Sequence, residues 1–121
     1  MISHALMTAL LHGMRPSIGK SLSLAVTPGE ESITLRGPAF YDIVNLGPDP
    51  VHVIMLADSS TDSATTSDYV LSPIGSGDKC RHEVFVSSAD KDNMRDVDNV
   101  LHAITAAGKS ATLSITRVSV V

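Results

Sequence analysis

The chain has 121 residues, 43% hydrophobic and 18% charged, with a formal net charge of -4. That length suits one domain with one core, and that composition is globular, not disordered. With 3% aromatic residues, no Trp and no basic stripe, neither phosphate-backbone binding nor base stacking is favoured, and no nucleic-acid partner is expected.

Residues 1–19 differ in composition from the rest. Ile2, Leu6, Ala9 and Leu10 fall at roughly helical spacing, and Gly13 and Arg15-Pro16 end the pattern. The apolar run is too short to span a bilayer and has no positive region ahead of it, so no signal peptide or membrane anchor is expected. It reads as a short amphipathic helix or as an extended arm that orders against a partner. The plainer reading packs it on its own sheet. As an arm, its candidate partner-binding residues are Ile2, Leu6, Leu10, Leu11 and Met14.

From Lys20 the period changes to two, and residues 20–121 read as one β-sandwich domain. Leu22, Leu24 and Val26 alternate with Ser21, Ser23 and Ala25, as in a half-buried strand. Thr27-Pro28-Gly29-Glu30 is a turn, Ser32–Leu35 a second strand, and Gly37-Pro38 a break. Phe40–Asn45 is a third strand. The Gly/Pro-rich stretch Leu46–Pro50 leads into Val51–Ala57, an apolar run that predicts a central strand covered on both faces. A polar loop, Asp58–Asp68, precedes a short strand, Tyr69–Leu71, and a second turn cluster, Ser72–Asp78. In Lys79–Val86, Cys80, His82, Val84 and Val86 share a strand face.

The stretch after Ser87 has two readings. Ser88 as a cap, Met94, Val97, Leu101 and Ile104 on one face, and Gly108 after the end would make one helix. The favoured reading is a helical turn near 88–94 followed by a strand over 99–106. Ala106–Ser110 then serves as a hairpin loop to a last alternating strand with Leu113 and Ile115 on its buried face. About eight short strands at roughly ten-residue spacing predict an all-β fold, an antiparallel β-sandwich or jelly roll.

Residues that carry chemistry are sparse. The five histidines, His4, His12, His52, His82 and His102, include no pair at metal-binding spacing. His52, His82 and His102 lie in predicted strands; three separately satisfied histidines is the plainer reading. The single cysteine, Cys80, excludes an intrachain disulfide and a multi-cysteine zinc site, and reads as a small apolar residue. Paired with His82 it would still need an orienting third group to act as a nucleophile. Gly75–Lys79 lacks the Walker spacing. Asp58, Asp62 and Asp68 share one loop but lack the EF-hand pattern, and Glu30-Glu31 reads as solvated. No enzyme activity, cofactor or metal is expected.

The alternating strand, the Pro/Gly turn, the segment Tyr41–Val53 and the closing stretch Val100–Arg117 together resemble small β-sandwich virion proteins of tailed bacteriophages, most of all capsid decoration (cement) proteins. The likeness covers residues 20–118 and lies in general character: size, Ser/Thr-rich strands and a Gly/Pro corner. It implies a structural protein on the outside of the virion, made in the host cytoplasm, homotrimeric, with the major capsid protein as its partner. The alternatives are a tail or head–tail joining subunit, a carbohydrate-binding sandwich assisted by calcium at Asp58, Asp62 and Asp68, and a small jelly-roll enzyme. The shortage of aromatic residues counts against the sugar binder.

Overall fold

The computed structural model describes residues 16–87 and 97–120. They form eight strands: β1 (Pro16–Val26), β2 (Glu31–Thr34), β3 (Ala39–Pro48), β4 (Val51–Ala57), β5 (Tyr69–Leu71), β6 (Arg81–Val86), β7 (Asp98–Ile104) and β8 (Ala111–Val120). Two four-stranded antiparallel sheets result, in the orders β1-β8-β3-β6 and β2-β7-β4-β5. Among the described residues there is no helix.

The pairing has a simple logic. β1 pairs with β8, β2 with β7, β3 with β6 and β4 with β5. The chain is thus one long hairpin, bent at the β4–β5 loop and rolled up. Rolling brings β8 against β3 and β7 against β4, which completes both sheets. This is the jelly-roll arrangement, one of the two architectures that the strand count predicts.

Alternation explains the two layers. Val26, Ile43, Leu113 and Ile115 of the first sheet and Val51, Leu71, Leu101 and Ala103 of the second are at most 1% exposed and form the core between the sheets. The first sheet turns a hydroxyl-rich face outward. Ser21 and Thr116, opposite each other on β1 and β8, are joined hydroxyl to hydroxyl at 2.6 Å. Arg81 Nε lies 3.1 Å from the Asp42 carboxylate on the same side. Burial, only partly offset by that guanidinium, holds the Asp42 carboxyl above the usual carboxylate range.

Two buried polar groups fix the corners. The Tyr41 hydroxyl donates to Arg36 O at 2.6 Å and accepts from Arg36 N–H at 3.0 Å, so one ring ties the β2–β3 connection to the core. Asn45, fully buried, donates through Nδ2 to Asp49 O and to Leu71 O, both at 2.9 Å, and accepts Gly47 N–H at 2.8 Å. It holds the β3–β4 corner shut and tacks it to β5.

The structure corrects three sequence expectations. Ala106–Ser110 does not close a hairpin, because β7 and β8 belong to different sheets. Each of these strands buries one aliphatic face from its own side of the core, and the connection crosses between layers. Gly108 supplies the positive φ, 77°, that its turn needs. β4 is central in its sheet but covered on one face only: Val51 and Val53 are buried, while His52, Ile54 and Leu56 are half-buried on the other side. β1 begins at Pro16, earlier than the alternation suggests, because an irregularity between Ile18 and Ser21 breaks the period there. Of the two readings after Ser87, the strand prevails at β7; the helical turn near 88–94 lies outside the described residues.

Candidate functional site

Two exposed apolar side chains from separate turns, Leu46 at the end of β3 and Ile74 after β5, are 50% and 52% exposed and are brought together by the fold. Ile74 N–H donates to Asn45 O at 3.0 Å, which sets the β5–β6 turn against the β3–β4 corner. Tyr69 and Val70, 46% and 44% exposed, are consecutive on β5 and face opposite sides of their sheet, Tyr69 opposite Val53 and Val70 opposite His52. The Leu46 and Ile74 pair is a candidate contact surface. Phe85, 56% exposed, lies elsewhere, on the outer face of the first sheet beside Phe40 with ring centroids 4.9 Å apart.

A cleft of about 400 Å³ opens between the sheets. Its cause is the length of β5. Three residues long, β5 covers only Val51–Val53 of β4. Beyond Val53 the second sheet has no strand on that side among the described residues, and the sandwich gapes between β6 and β4. Ile43, Val53, Met55, Val84 and Leu101 line the interior, with Asp68, Tyr69 and His82 also in the wall.

The polar groups at this cleft form a row. The His82 and Tyr69 rings sit 5.2 Å apart, and Lys79 Nζ lies 5.4 Å from the Tyr69 centroid on a favourable cation–π approach. Burial, followed by the nearby Lys79 charge, lowers the His82 pKa from its ordinary value, and Glu83 only partly opposes this. The shift favours the neutral imidazole, which can donate or accept a hydrogen bond.

The sequence candidates separate in space. His52 meets Asp68 O through Nδ1 at 3.0 Å. His102 pairs through Nδ1 with the Glu30 carboxylate, so Glu30 is engaged and not merely solvated. His82 alone of the three lines the cleft, and Cys80 is half-buried before β6 outside the cleft lining. Gly75–Lys79 is a turn, with Gly75 and Gly77 both at φ 86°. Asp58 and Asp62 are exposed, and the Asp68 carboxylate caps its own loop, accepting Thr65 N–H at 2.7 Å. Among the described residues no group of three His, Cys, Asp or Glu side chains is placed to hold a metal ion. The arm residues Ile2, Leu6, Leu10, Leu11 and Met14 lie outside the described residues.

Comparison of the chain with protein-family models, with curated proteins and with solved structures finds no match.

Proposed function

We propose that this chain is a structural protein of a virion, a decoration (cement) protein that binds the outer surface of the major capsid lattice of a tailed bacteriophage and stabilises the head. The observation that supports the reading is the exposed apolar pair Leu46 and Ile74, brought together at the β3–β4 corner. It is an adhesive surface on a compact roll whose four edge strands carry features that resist pairing with other chains. β2 and β5 are short, β1 carries Pro16, a bulge and Lys20, and β6 carries Arg81 and Glu83. These are the devices that blunt strand edges, so docking goes through the end of the roll. Viral capsid domains share the jelly-roll topology, though topology alone does not select a function.

The physics of such a role is linkage. A protein that binds only the assembled, expanded shell shifts the shell's equilibrium toward that state. Burying one Leu or Ile side chain contributes about 1.5–3 kcal/mol at most, and a homotrimer would sum three such sets of contacts. The arm residues Ile2, Leu6, Leu10, Leu11 and Met14 add contacts to the capsid or to a neighbouring copy.

The test is quantitative mass spectrometry of purified particles. A cement protein appears in fixed, lattice-wide ratio to the major capsid protein. A ring-like, low copy number supports the tail or head–tail alternative, and absence from particles overturns the virion reading. The double variant Leu46→Asp/Ile74→Asp folds but loses occupancy. Deletion of residues 1–15 reduces occupancy as well; unchanged occupancy removes the arm from the binding surface.

A further inference from the structure

We propose that the cleft between β6 and the β4–β5 edge binds a free aliphatic carboxylate, with its hydrocarbon tail in the interior and its head at Lys79. This goes beyond the capsid reading and does not depend on it. The volume, about 400 Å³, falls within the range of small-ligand sites, roughly 300–1,000 Å³. The interior wall is aliphatic and thioether: Ile43, Val53, Met55, Val84 and Leu101. It offers a sugar or a nucleotide few groups to replace lost water contacts, whereas a hydrocarbon loses none on entering.

Charge beside the cleft selects the head group. Lys79 is exposed and does not line the cleft itself, but its ammonium lies 5.4 Å from the centroid of Tyr69, which does, and among the described residues no carboxylate pairs with it. Asp68, the charged residue in the lining, is turned to its own loop, where its Oδ2 accepts Thr65 N–H at 2.7 Å and the Thr65 hydroxyl at 3.4 Å; it stays anionic, so a ligand carboxylate seats on the Lys79 side, away from it. Glu83 is opposite Asp42 in register and belongs to the outer face of the first sheet, away from the interior. A ligand carboxylate therefore meets the Lys79 ammonium, with the Tyr69 hydroxyl and the His82 imidazole as further hydrogen-bonding groups beside it. The lowered His82 pKa agrees with a partly desolvated position in the wall. An acyl acid combines the two required parts, a tail for the aliphatic wall and one negative charge for Lys79.

The experiment titrates the full chain with octanoate, decanoate and decanol, read by calorimetry and by methyl NMR. Saturable binding of the acids is expected, tightening by up to about fourfold per methylene, with the largest shifts at Met55, Val84 and Leu101. Lys79→Met, a change at an exposed side chain, weakens decanoate several-fold and leaves decanol unchanged. Val84→Phe, checked for folding by circular dichroism, fills the cleft and abolishes both. The proposal is overturned by the absence of saturable binding, by a decanoate affinity indifferent to Lys79→Met, or by methyl shifts located outside the cleft. Sedimentation showing that a second copy of the chain protects these methyls at rising concentration also overturns it.

Discussion

Replacing Asn45 by Leu tests whether one buried amide positions the candidate site. The side chain is 0% exposed and makes three hydrogen bonds, to Asp49 O, Leu71 O and Gly47 N–H. Each such bond contributes about 1 kcal/mol net, and a partner left buried without a replacement costs about 1–3 kcal/mol. Asp49 lies near the surface and recovers water; Leu71, itself fully buried, does not. The apolar gain from Leu offsets part of the loss, so the expected cost is about 2–4 kcal/mol. With a urea slope of about 1.5 kcal/mol/M, the unfolding midpoint falls by roughly 2 M. Asn45→Asp places a charged acceptor against two carbonyls, so it destabilises at least as much at neutral pH and recovers on acidification. Because Asn45 ties β5 to the β3–β4 corner, amide exchange should rise at Leu71 and Ile74 in both variants. A midpoint shift below about 0.4 M for Asn45→Leu would refute the argument that this amide organises the end of the roll.

Three further outcomes follow from the packing. Tyr41→Phe keeps the ring but removes both bonds to Arg36, and loses about 1–2 kcal/mol in denaturant titration. Gly37→Ala places a Cβ 2.1 Å from Val86 O and 2.7 Å from Ser87 O, so the backbone must move; thermal melts show a loss of about 3 kcal/mol. His82, whose pKa is lowered, binds its proton more tightly in the unfolded chain. Its contribution to stability is complete above the ordinary histidine value and is lost as pH falls through the lowered one. Lys79, Tyr69, Asp68 and Glu83 are the titratable groups around it. Stability measured from neutral into mildly acidic pH therefore declines less steeply in His82→Gln than in the parent chain, and parallel slopes would exclude His82 from that decline.

Sequence patterns are legible here where one residue's environment is decided locally. Leu22-Ser23-Leu24-Ala25-Val26 alternates because one face packs, and turn residues bound nearly every strand, so the eight-strand count is readable. Val51–Ala57 misleads because a continuous apolar run looks the same whether both faces are covered or one face is half-open. The Ala106–Ser110 turn misleads for a related reason. Turn chemistry shows that the chain reverses, but not whether it stays in one sheet or crosses to the next. The apolar pair and the cleft are less visible still. Leu46 and Ile74 come from separate turns, and Lys79, Tyr69 and His82 meet only because β5 and β6 edge opposite sheets. A short β5 was the one available signal: three apolar residues between two polar loops cannot flank all of β4.

The last strand in chain order lies in the middle of its sheet. β8 sits between β1 and β3, and the Ser21–Thr116 contact joins residues 95 positions apart. Until Ala111–Val120 has left the ribosome, β1 has no neighbour and the aliphatic side of β3 is half-covered. Completion of the first sheet therefore waits for β8 and is slow, because the longest loops close last. A nascent chain stalled before residue 111 displays the same sticky hydrocarbon that the finished roll hides.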